Sequence, residues 1–200
     1  RQSEKFLVML AIALREADGV IIEDYGKGAV TQPVVDLVLA TAAKRGIPVG
    51  LDPKAGHEVN LQGITIATPN RHEAFAIAGL PDPGIRENPA ADKALRRAGE
   101  ILMEKWAAPH LIITLGAQGM LLMGRGRPPR HVPTRAREVF DVSGAGDTVI
   151  AACVTALAAG ADFLESAELA NIAASVVVAK LGTASCTPEE LLAHMRNVRR

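Results

Sequence analysis

Short apolar segments alternate with longer helical segments along this chain of 200 residues. Segments 19–22, 48–51 and 64–67 are apolar and have the length of buried strands. Helices are predicted over residues 31–45, 71–78, 90–106, 149–159, 164–179 and 188–198. Strands that alternate with helices in this way predict an α/β protein, in which helices flank a mostly parallel sheet.

Capping and turn residues mark the ends of several of these elements. Thr31 fits the N-cap of the first of these helices, Pro33 lies in its first turn, and Gly46 follows its end. Thr187 fits the N-cap of the last helix. Segments 110–115 and 120–123 are joined by a tight glycine-containing turn, which predicts a β-hairpin.

Two further segments invite alternative interpretations. Residues 6–14 form the longest apolar run, but a membrane-spanning helix needs about 20 apolar residues. No signal-peptide cleavage site follows the run, so we predict a buried helix there. Residues 124–130 are basic and rich in glycine and proline, and we predict a solvated turn rather than a nucleic-acid-binding patch.

Composition narrows the class of protein. Lys plus Arg number 22 and Asp plus Glu number 22, so the formal net charge is zero and no field gathers nucleic acid or membrane lipid. The five histidines lack metal-binding spacing and are expected at the surface or in loops. Cys153 and Cys186 make no disulfide framework, and Cys153 is expected in the core. We therefore expect a cytoplasmic protein that acts on small molecules.

The segment that carries the chemistry is Ser143-Gly144-Ala145-Gly146-Asp147, directly before a predicted helix. Its two glycines allow a tight turn, and the free N–H groups of a helix start favour an anion such as a phosphoryl group. Asp147 is then placed to accept the proton of a hydroxyl that attacks phosphorus. The segment is neither a Walker A loop nor a Rossmann fingerprint. An aspartate here also fits a helix N-cap, so the pattern alone leaves both roles open.

Other polar residues lie where parallel strands end. Asn70 and Glu73 are one helical turn apart, a spacing that fits either a capping pair or two groups facing one hydrated Mg²⁺. Spacing alone favours the capping pair. The residues that follow the first two strands are candidates for binding a substrate with hydroxyl and phosphate groups: Asp24, Lys27, Asp52 and Lys54. Lys27 also fits an exposed loop lysine, and Asp52 with Lys54 also fits an internal ion pair.

The segment Asp141-Val142-Ser143-Gly144-Ala145-Gly146-Asp147 resembles the signature of the ribokinase/PfkB family of carbohydrate kinases. Two other segments resemble family motifs in the family's order: Asn70-Arg71-His72-Glu73 and Thr114-Leu115-Gly116-Ala117-Gln118-Gly119. Asn171 matches the asparagine on the adenine side of the family's nucleotide site. The resemblance extends over essentially the whole chain and implies a three-layer ribokinase-like fold.

The resemblance also implies a role for each residue. Asp147 is expected to be the catalytic base, beside an anion hole formed by the N–H groups of Gly144, Ala145 and Gly146. ATP is expected to contact Thr114, Gly116, Gly119 and Asn171. Mg²⁺ is expected near Asn70 and Glu73 through water. A monovalent cation, commonly K⁺, is expected at Asp141 and Ser143, with the turn near residues 180–182 and Cys186 as its other half.

Several segments are similar to the heptose-7-phosphate kinase domain of bifunctional kinase/adenylyltransferases, notably Asp24-Tyr25-Gly26-Lys27-Gly28 and Asp52-Pro53-Lys54. The reaction implied is phosphorylation of D-glycero-D-manno-heptose 7-phosphate to the 1,7-bisphosphate. Another sugar kinase of the family and a non-catalytic nucleotide-binding fragment stay open. We expect residues 1–200 to be the C-terminal two-thirds of such a domain, without the N-terminal third and its lid. An unpaired sheet edge would then favour a homodimer.

Overall fold

The computed structural model describes residues 2–56, 59–136 and 139–198, and within these ranges six strands form one sheet. Strand order follows chain order, with β1 at one edge and β6 at the other. The strands are β1 (Val20–Glu23), β2 (Val49–Asp52), β3 (Ile66–Ala67), β4 (His110–Thr114), β5 (Met120–Gly124) and β6 (Arg130–Val132). The first four are parallel, and β5 and β6 are antiparallel to their neighbours. The predicted mostly parallel sheet and the predicted hairpin are confirmed.

Helices cover both faces of the sheet. They are α1 (Gln2–Ala13), α2 (Gln32–Arg45), α3 (Arg71–Ala78), α4 (Lys93–Trp106), α5 (Ala145–Ala158), α6 (Phe163–Val178) and α7 (Pro188–Val198). Alternate strand residues face opposite sides, so Leu111 and Ile113 join the core under α2 to α4, whereas Ile112 joins the core under α5 and α6. This arrangement is the predicted three-layer fold.

Local capping explains why several helix bounds were predictable. Helix α2 ends at Gly46, whose φ of 66° gives the left-handed C-cap. Helix α7 begins after Thr187, whose hydroxyl accepts from the Glu190 N–H at 3.3 Å. The predicted helix 90–106 is wrong at its start. Asp92, which is buried, accepts the N–H groups of Ala94 and Leu95 and so begins α4 at Lys93, after a separate turn of 3₁₀ helix.

Helix α1 corrects another expectation. Residues 6–14 are helical as predicted, but the helix is not buried: Val8 is 61% exposed and Met9 is 69% exposed. The helix packs on α2, and Leu10 of the helix and Leu14 directly after it reach the core. None of the helices in the described ranges has the length and apolarity to cross a membrane.

Two expectations about the β4–β6 region also change. Residues 124–130 form the predicted turn, but the chain then returns as β6, whose polar sequence hid it. His110 is not a surface or loop residue: it begins β4 and stacks on Phe163 with ring centroids 4.3 Å apart. His131 lies in β6 and contacts the Gln118 carbonyl oxygen at 2.6 Å. His57 lies outside the described residues.

Helix α5 begins four residues earlier than predicted and packs closely on β2. Gly144 precedes it with a φ of 78°, so the glycine-rich segment forms the first turn rather than a loop before the helix. On β2, a Cβ added to Gly50 would lie 2.5 Å from Val154 Cγ2 and 3.0 Å from Ile150 Cδ1. The absence of a side chain at Gly50 therefore sets how closely α5 approaches the sheet. Cys153, on the same helix, is buried as expected.

We expect Gly50→Ala to destabilise the protein by about 1–3 kcal/mol, because the added methyl overpacks the contact between β2 and α5. Urea unfolding measures this difference. Gly124→Ala is the matched control in β5, because the nearest atom to its added Cβ is Arg127 Cδ at 3.7 Å. The control is expected to change stability by about 0.5 kcal/mol or less. Equal effects of the two substitutions would contradict the close approach of α5.

Candidate active site

Acidic side chains meet where β1 and β2 end. Glu23 and Asp52 are direct partners in the parallel register of these strands, and the Asp24 N–H donates to the Asp52 carbonyl oxygen at 3.1 Å. Asp147, in the first turn of α5, lies against the same edge. The Tyr25 hydroxyl donates to both carboxylate oxygens of Asp147, each 3.4 Å away. Parallel register and the start of α5 thus bring three distant segments together.

The carboxylates in this region influence one another's charge. Burial and the nearby charges of Glu73, Asp147 and Glu23 raise the pKa of Asp52 to about 7, and Lys54 only partly opposes them. The pKa of Glu23 is raised as well, first by burial and then by Asp147. Glu73 therefore lies close enough to interact with the β1–β2 edge. This is a concentrated negative region of the kind that a cation or a positively charged ligand relieves.

Glu23 and Tyr25 were not among the predicted site residues. Their sequence signal was available but weak: Glu23 is the acid that ends the apolar run of β1, and Tyr25 is the only tyrosine in the chain. Adjacent acids at the end of a buried strand, followed by a glycine-rich loop, are the pattern that could have identified them.

The glycine-bent start of α5 leaves backbone donors available. The Ala145 N–H donates to the Val142 carbonyl oxygen at 3.2 Å, so this amide is already used within the turn. No acceptor among the described residues binds the N–H groups of Gly144, Gly146 and Asp147. Two of the three predicted anion-hole residues, Gly144 and Gly146, therefore have free amides. The amide of Asp147 is a third free donor.

Asp141 holds this start of α5 against the turn at residues 180–182. One carboxylate oxygen accepts from the Ser143 N–H at 2.9 Å, and the other accepts from the Gly182 N–H at 3.1 Å. These hydrogen bonds lower the pKa of Asp141. The two predicted halves of a monovalent-cation site therefore lie side by side. Within this turn, Lys180 Nζ donates to the Ser185 carbonyl oxygen at 2.7 Å.

A cavity of about 350 Å³ opens beside the free amides. All four residues predicted to contact a nucleotide line it, and the start of α5 closes one end: Thr114, Gly116, Gly119, Asn171, Ala145 and Gly146. Gly119 has a φ of 87°, and a Cβ there would collide with the Val132 carbonyl oxygen. Asn171 is buried and donates to the Pro133 carbonyl oxygen at 2.8 Å. Residues of the 114–119 segment and the distant Asn171 thus share one cavity.

Asn70 and Glu73 lie next to this cavity and also form a capping box. The Asn70 side chain accepts from the Glu73 N–H at 2.9 Å, and the Glu73 carboxylate accepts from the Asn70 N–H at 3.0 Å. Asn70 pairs with Thr114 in an isolated bridge, which places the pair near the wall of the cavity. The capping role is confirmed. Among the described residues, no cluster of three His, Cys, Asp or Glu side chains has metal-binding geometry.

A second cavity, of about 530 Å³, lies on the other side of the start of α5. Glu23, Gly144 and Asp147 line it, and Cys186 contributes to the opposite wall. The glycine-bent turn therefore separates two cavities. One holds the predicted nucleotide residues, and the other holds the predicted catalytic carboxylate.

The predicted substrate residues are not brought to this second cavity. Asp24 and Lys54 line a separate cavity of about 130 Å³. Lys27 is exposed on a loop between Gly26 and Gly28, which have φ values of 65° and 81°. Asp52 interacts with Asp147 through the charge interaction described above.

The ionisation of Tyr25 offers a direct test of this geometry. Asp147 is the first cause that raises the pKa of Tyr25, followed by Glu23. We expect Asp147→Asn to lower the pKa of the phenol, measured by the ultraviolet absorbance of tyrosinate as pH rises. Because the chain has one tyrosine, the signal has one source. Asp36→Asn, on the exposed side of α2, should leave the titration unchanged; an equal shift in both variants would refute the Tyr25–Asp147 contact.

Asp52 generates a pH-dependent prediction. A carboxyl whose pKa is raised to about 7 on folding stabilises the protein at low pH and loses that contribution as pH rises toward 7. The Asp52→Asn variant should therefore gain stability relative to the wild type as the pH rises from about 5 to about 8. The gain should be on the order of 1 kcal/mol, because solvent screens part of the charge interaction. Urea unfolding in chelator measures this. A difference that stays constant across these pH values would contradict the buried acidic cluster.

Comparison with known proteins gives the relationship of the chain. Residues 3–190 match the family described as pfkB family carbohydrate kinase. Bifunctional protein HldE of Geobacter sulfurreducens is 46% identical over 173 residues, which are 86% of this chain and 34% of that protein. Bifunctional protein HldE of Nitrosococcus oceani is 44% identical over 200 residues, which are 98% of this chain and 40% of that protein. The chain thus spans between a third and two-fifths of the length of these relatives.

A solved structure agrees with the sequence relatives. The ribokinase of Arabidopsis thaliana, solved with ribose and ATP, superimposes with a TM-score of 0.77 at 25% identity. The alignment covers 93% of this chain and 58% of that one. The family match, the HldE relatives and the shared fold together show that the chain belongs to the pfkB family of carbohydrate kinases.

Proposed function

We propose that this chain carries the catalytic part of a kinase that transfers the γ-phosphoryl group of ATP to a hydroxyl of a sugar or sugar phosphate. The observation that carries the proposal is the position of the start of α5 between two cavities. The four predicted nucleotide residues line one cavity, and Asp147 lines the other. A phosphoryl group crossing from one to the other passes the free amides of Gly144 and Gly146.

Each group at this turn has a defined task in such a transfer. Phosphoryl transfer needs alignment of donor and acceptor together with stabilisation of the charge on the equatorial oxygens. The N–H groups of Gly144, Gly146 and Asp147 hold that charge, supported by the positive end of the α5 dipole. The Asp147 carboxylate accepts the proton of the attacking hydroxyl. That hydroxyl takes the place of the Tyr25 phenol at the Asp147 oxygens.

Mg²⁺ fits the residues on the nucleotide side of the site. Asn70 and Glu73 supply hard oxygen atoms beside the cavity, and Glu73 adds to the negative charge at Asp52. These two residues would hold the ion through water, with the remaining ligands supplied by the phosphates of ATP. Bound Mg²⁺ neutralises charge on the transferring phosphate.

A monovalent cation such as K⁺ fits the junction held by Asp141. The Asp141 carboxylate joins its own loop to the turn at residues 180–182, and its oxygen atoms lie where the two segments meet. Oxygen donors of this kind would hold the cation and fix the junction. A fixed junction keeps the free amides of α5 directed toward the phosphoryl group.

The acceptor proposed is D-glycero-D-manno-heptose 7-phosphate. The support is sequence similarity: segments at residues 24–28 and 52–54 resemble the heptose kinase subfamily, and HldE relatives are 44–46% identical over most of this chain. The Arabidopsis ribokinase with bound ribose is more distant, at 25% identity. In the folded chain, Tyr25 of the first segment donates to the Asp147 carboxylate, and Asp52 of the second interacts with the charge of Asp147.

The central experiment is Asp147→Asn in the protein that carries this chain. We expect turnover to fall by about 10²–10⁴-fold, because the general base is lost. ATP affinity, measured by calorimetry, should stay within about twofold, since the free amides remain. Asp36→Asn is the control, an exposed carboxylate on α2. Retained turnover in Asp147→Asn would refute the base assignment.

The same ADP-release assay separates the candidate functions through the acceptor. Heptose 7-phosphate should be phosphorylated faster than ribose, fructose or adenosine. Preference for one of these three would reject the heptose assignment and retain the sugar kinase. ATP binding without turnover on any acceptor would favour a non-catalytic nucleotide-binding module.

A further inference from the structure

A groove of about 660 Å³ lies at the end of the β4–β5 hairpin that is remote from the nucleotide cavity. Arg96 of α4 forms one side of it, and Arg125 and Arg127, from the turn after β5, form another. Gly119 begins β5 at the nucleotide cavity, and Gly124 ends β5 at this groove. The rise of five residues of extended strand, about 17 Å, separates Gly119 from Gly124. The arginine groove is therefore separate from the catalytic cavities.

The arginines of this groove lack anionic partners. Across the described residues, no ion pair or side-chain hydrogen bond involves Arg96, Arg125 or Arg127. Two glutamates also line the groove, but Glu100 pairs with Arg97 at 3.4 Å. Glu104 is then the one remaining carboxylate among the lining residues, so positive charge is in excess.

Two buried polar atoms at the groove have no partner. Arg96 Nε is buried and makes no hydrogen bond in the structure, and the same holds for His110 Nδ1. His110 Nδ1 lies beside the groove wall, 3.8 Å from the position of a Cβ on Gly124, where Arg127 Cδ lies at 3.7 Å. Buried polar atoms without partners are rare in proteins, and each calls for an explanation. Water does not reach these two atoms, so a ligand in the groove would contact the terminal N–H groups of Arg96, which are not buried, rather than Nε.

We propose that the arginine groove binds a small organic phosphate at a site distinct from the catalytic cavities. Guanidinium groups present paired N–H donors that match phosphate oxygens, and three of them without partners suit a phosphate ester. The volume lies within the roughly 300–1,000 Å³ of small-molecule sites. The tight turn at Gly126, with a φ of 69°, sets Arg125 and Arg127 on the same groove, and Pro128 and Pro129 restrict the chain after it.

The test uses inorganic pyrophosphate as the probe, and its binding is measured by calorimetry. A chelator is present to remove metal ions, and a non-hydrolysable ATP analogue saturates the catalytic cavity. The double variant Arg125→Ala/Arg127→Ala should bind the probe at least about tenfold more weakly, since two of three guanidinium contacts are lost. Both residues are exposed, so the variant should fold. The control is Lys44→Ala, which removes one positive charge from an exposed position of α2 that does not line the groove, and it should leave affinity within about twofold.

A gain-of-affinity variant excludes a simple folding defect. Glu104→Gln removes the remaining carboxylate and should tighten binding by about threefold or more. Wild-type protein that does not bind pyrophosphate would overturn the proposal. Equal weakening by Lys44→Ala would do the same, because it would reduce the effect to non-specific charge. Either result leaves the kinase proposal untouched, since the Asp147→Asn assay does not involve these arginines.

Discussion

The close packing of α5 on β2 is the contact on which the rest of the site depends. Gly50 has no side chain, so Val154 and Ile150 of α5 rest directly against the strand backbone. That contact fixes the first turn of α5 at the carboxyl edge of the sheet. Asp147 thereby reaches the ends of β1 and β2, and the free amides face the cavity of the nucleotide residues. A wider separation of α5 from the sheet would move the carboxylate and the amides together away from their cavities.

Two separate devices hold that turn in position. Asp141 links it to residues 180–182 through two backbone N–H groups. Thr148 closes it from within, since its hydroxyl donates to the Gly144 carbonyl oxygen at 2.8 Å. Across the nucleotide cavity, the capping box of α3 fixes Asn70 and Glu73. Preorganised donors of this kind stabilise developing charge without rearrangement during the reaction. The concentration of carboxylates around Asp52 is tolerated because this framework imposes it.

Sequence patterns predicted those parts of the fold that local interactions determine. The bounds of α3 and α7 follow from capping residues within one turn, and the β4–β5 hairpin follows from its glycine turn. The four residues predicted to contact a nucleotide were identified from motifs that resemble those of the family, and the structure brings them to one cavity. Glu23 and Tyr25 were missed because their role arises from the register of β1 with β2 and from contact with residue 147, which lies 122 positions from Tyr25. For the same reason, the local sequence did not predict that α1 is exposed or that Asp24 lines a separate cavity.

In the proposed phosphoryl transfer, the use of backbone amides at the start of α5 has a physical reason. Among the described residues that line the two cavities flanking α5, there is no lysine or arginine. A guanidinium beside Asp147 would stabilise its charged form and weaken it as a base. Neutral amides stabilise the phosphoryl oxygens through fixed partial charges while carrying no net charge themselves. The site can therefore hold an anion and a basic carboxylate within one helical turn. The arginine groove, which contains no catalytic base, is under no such restriction and can present full positive charges to a phosphate.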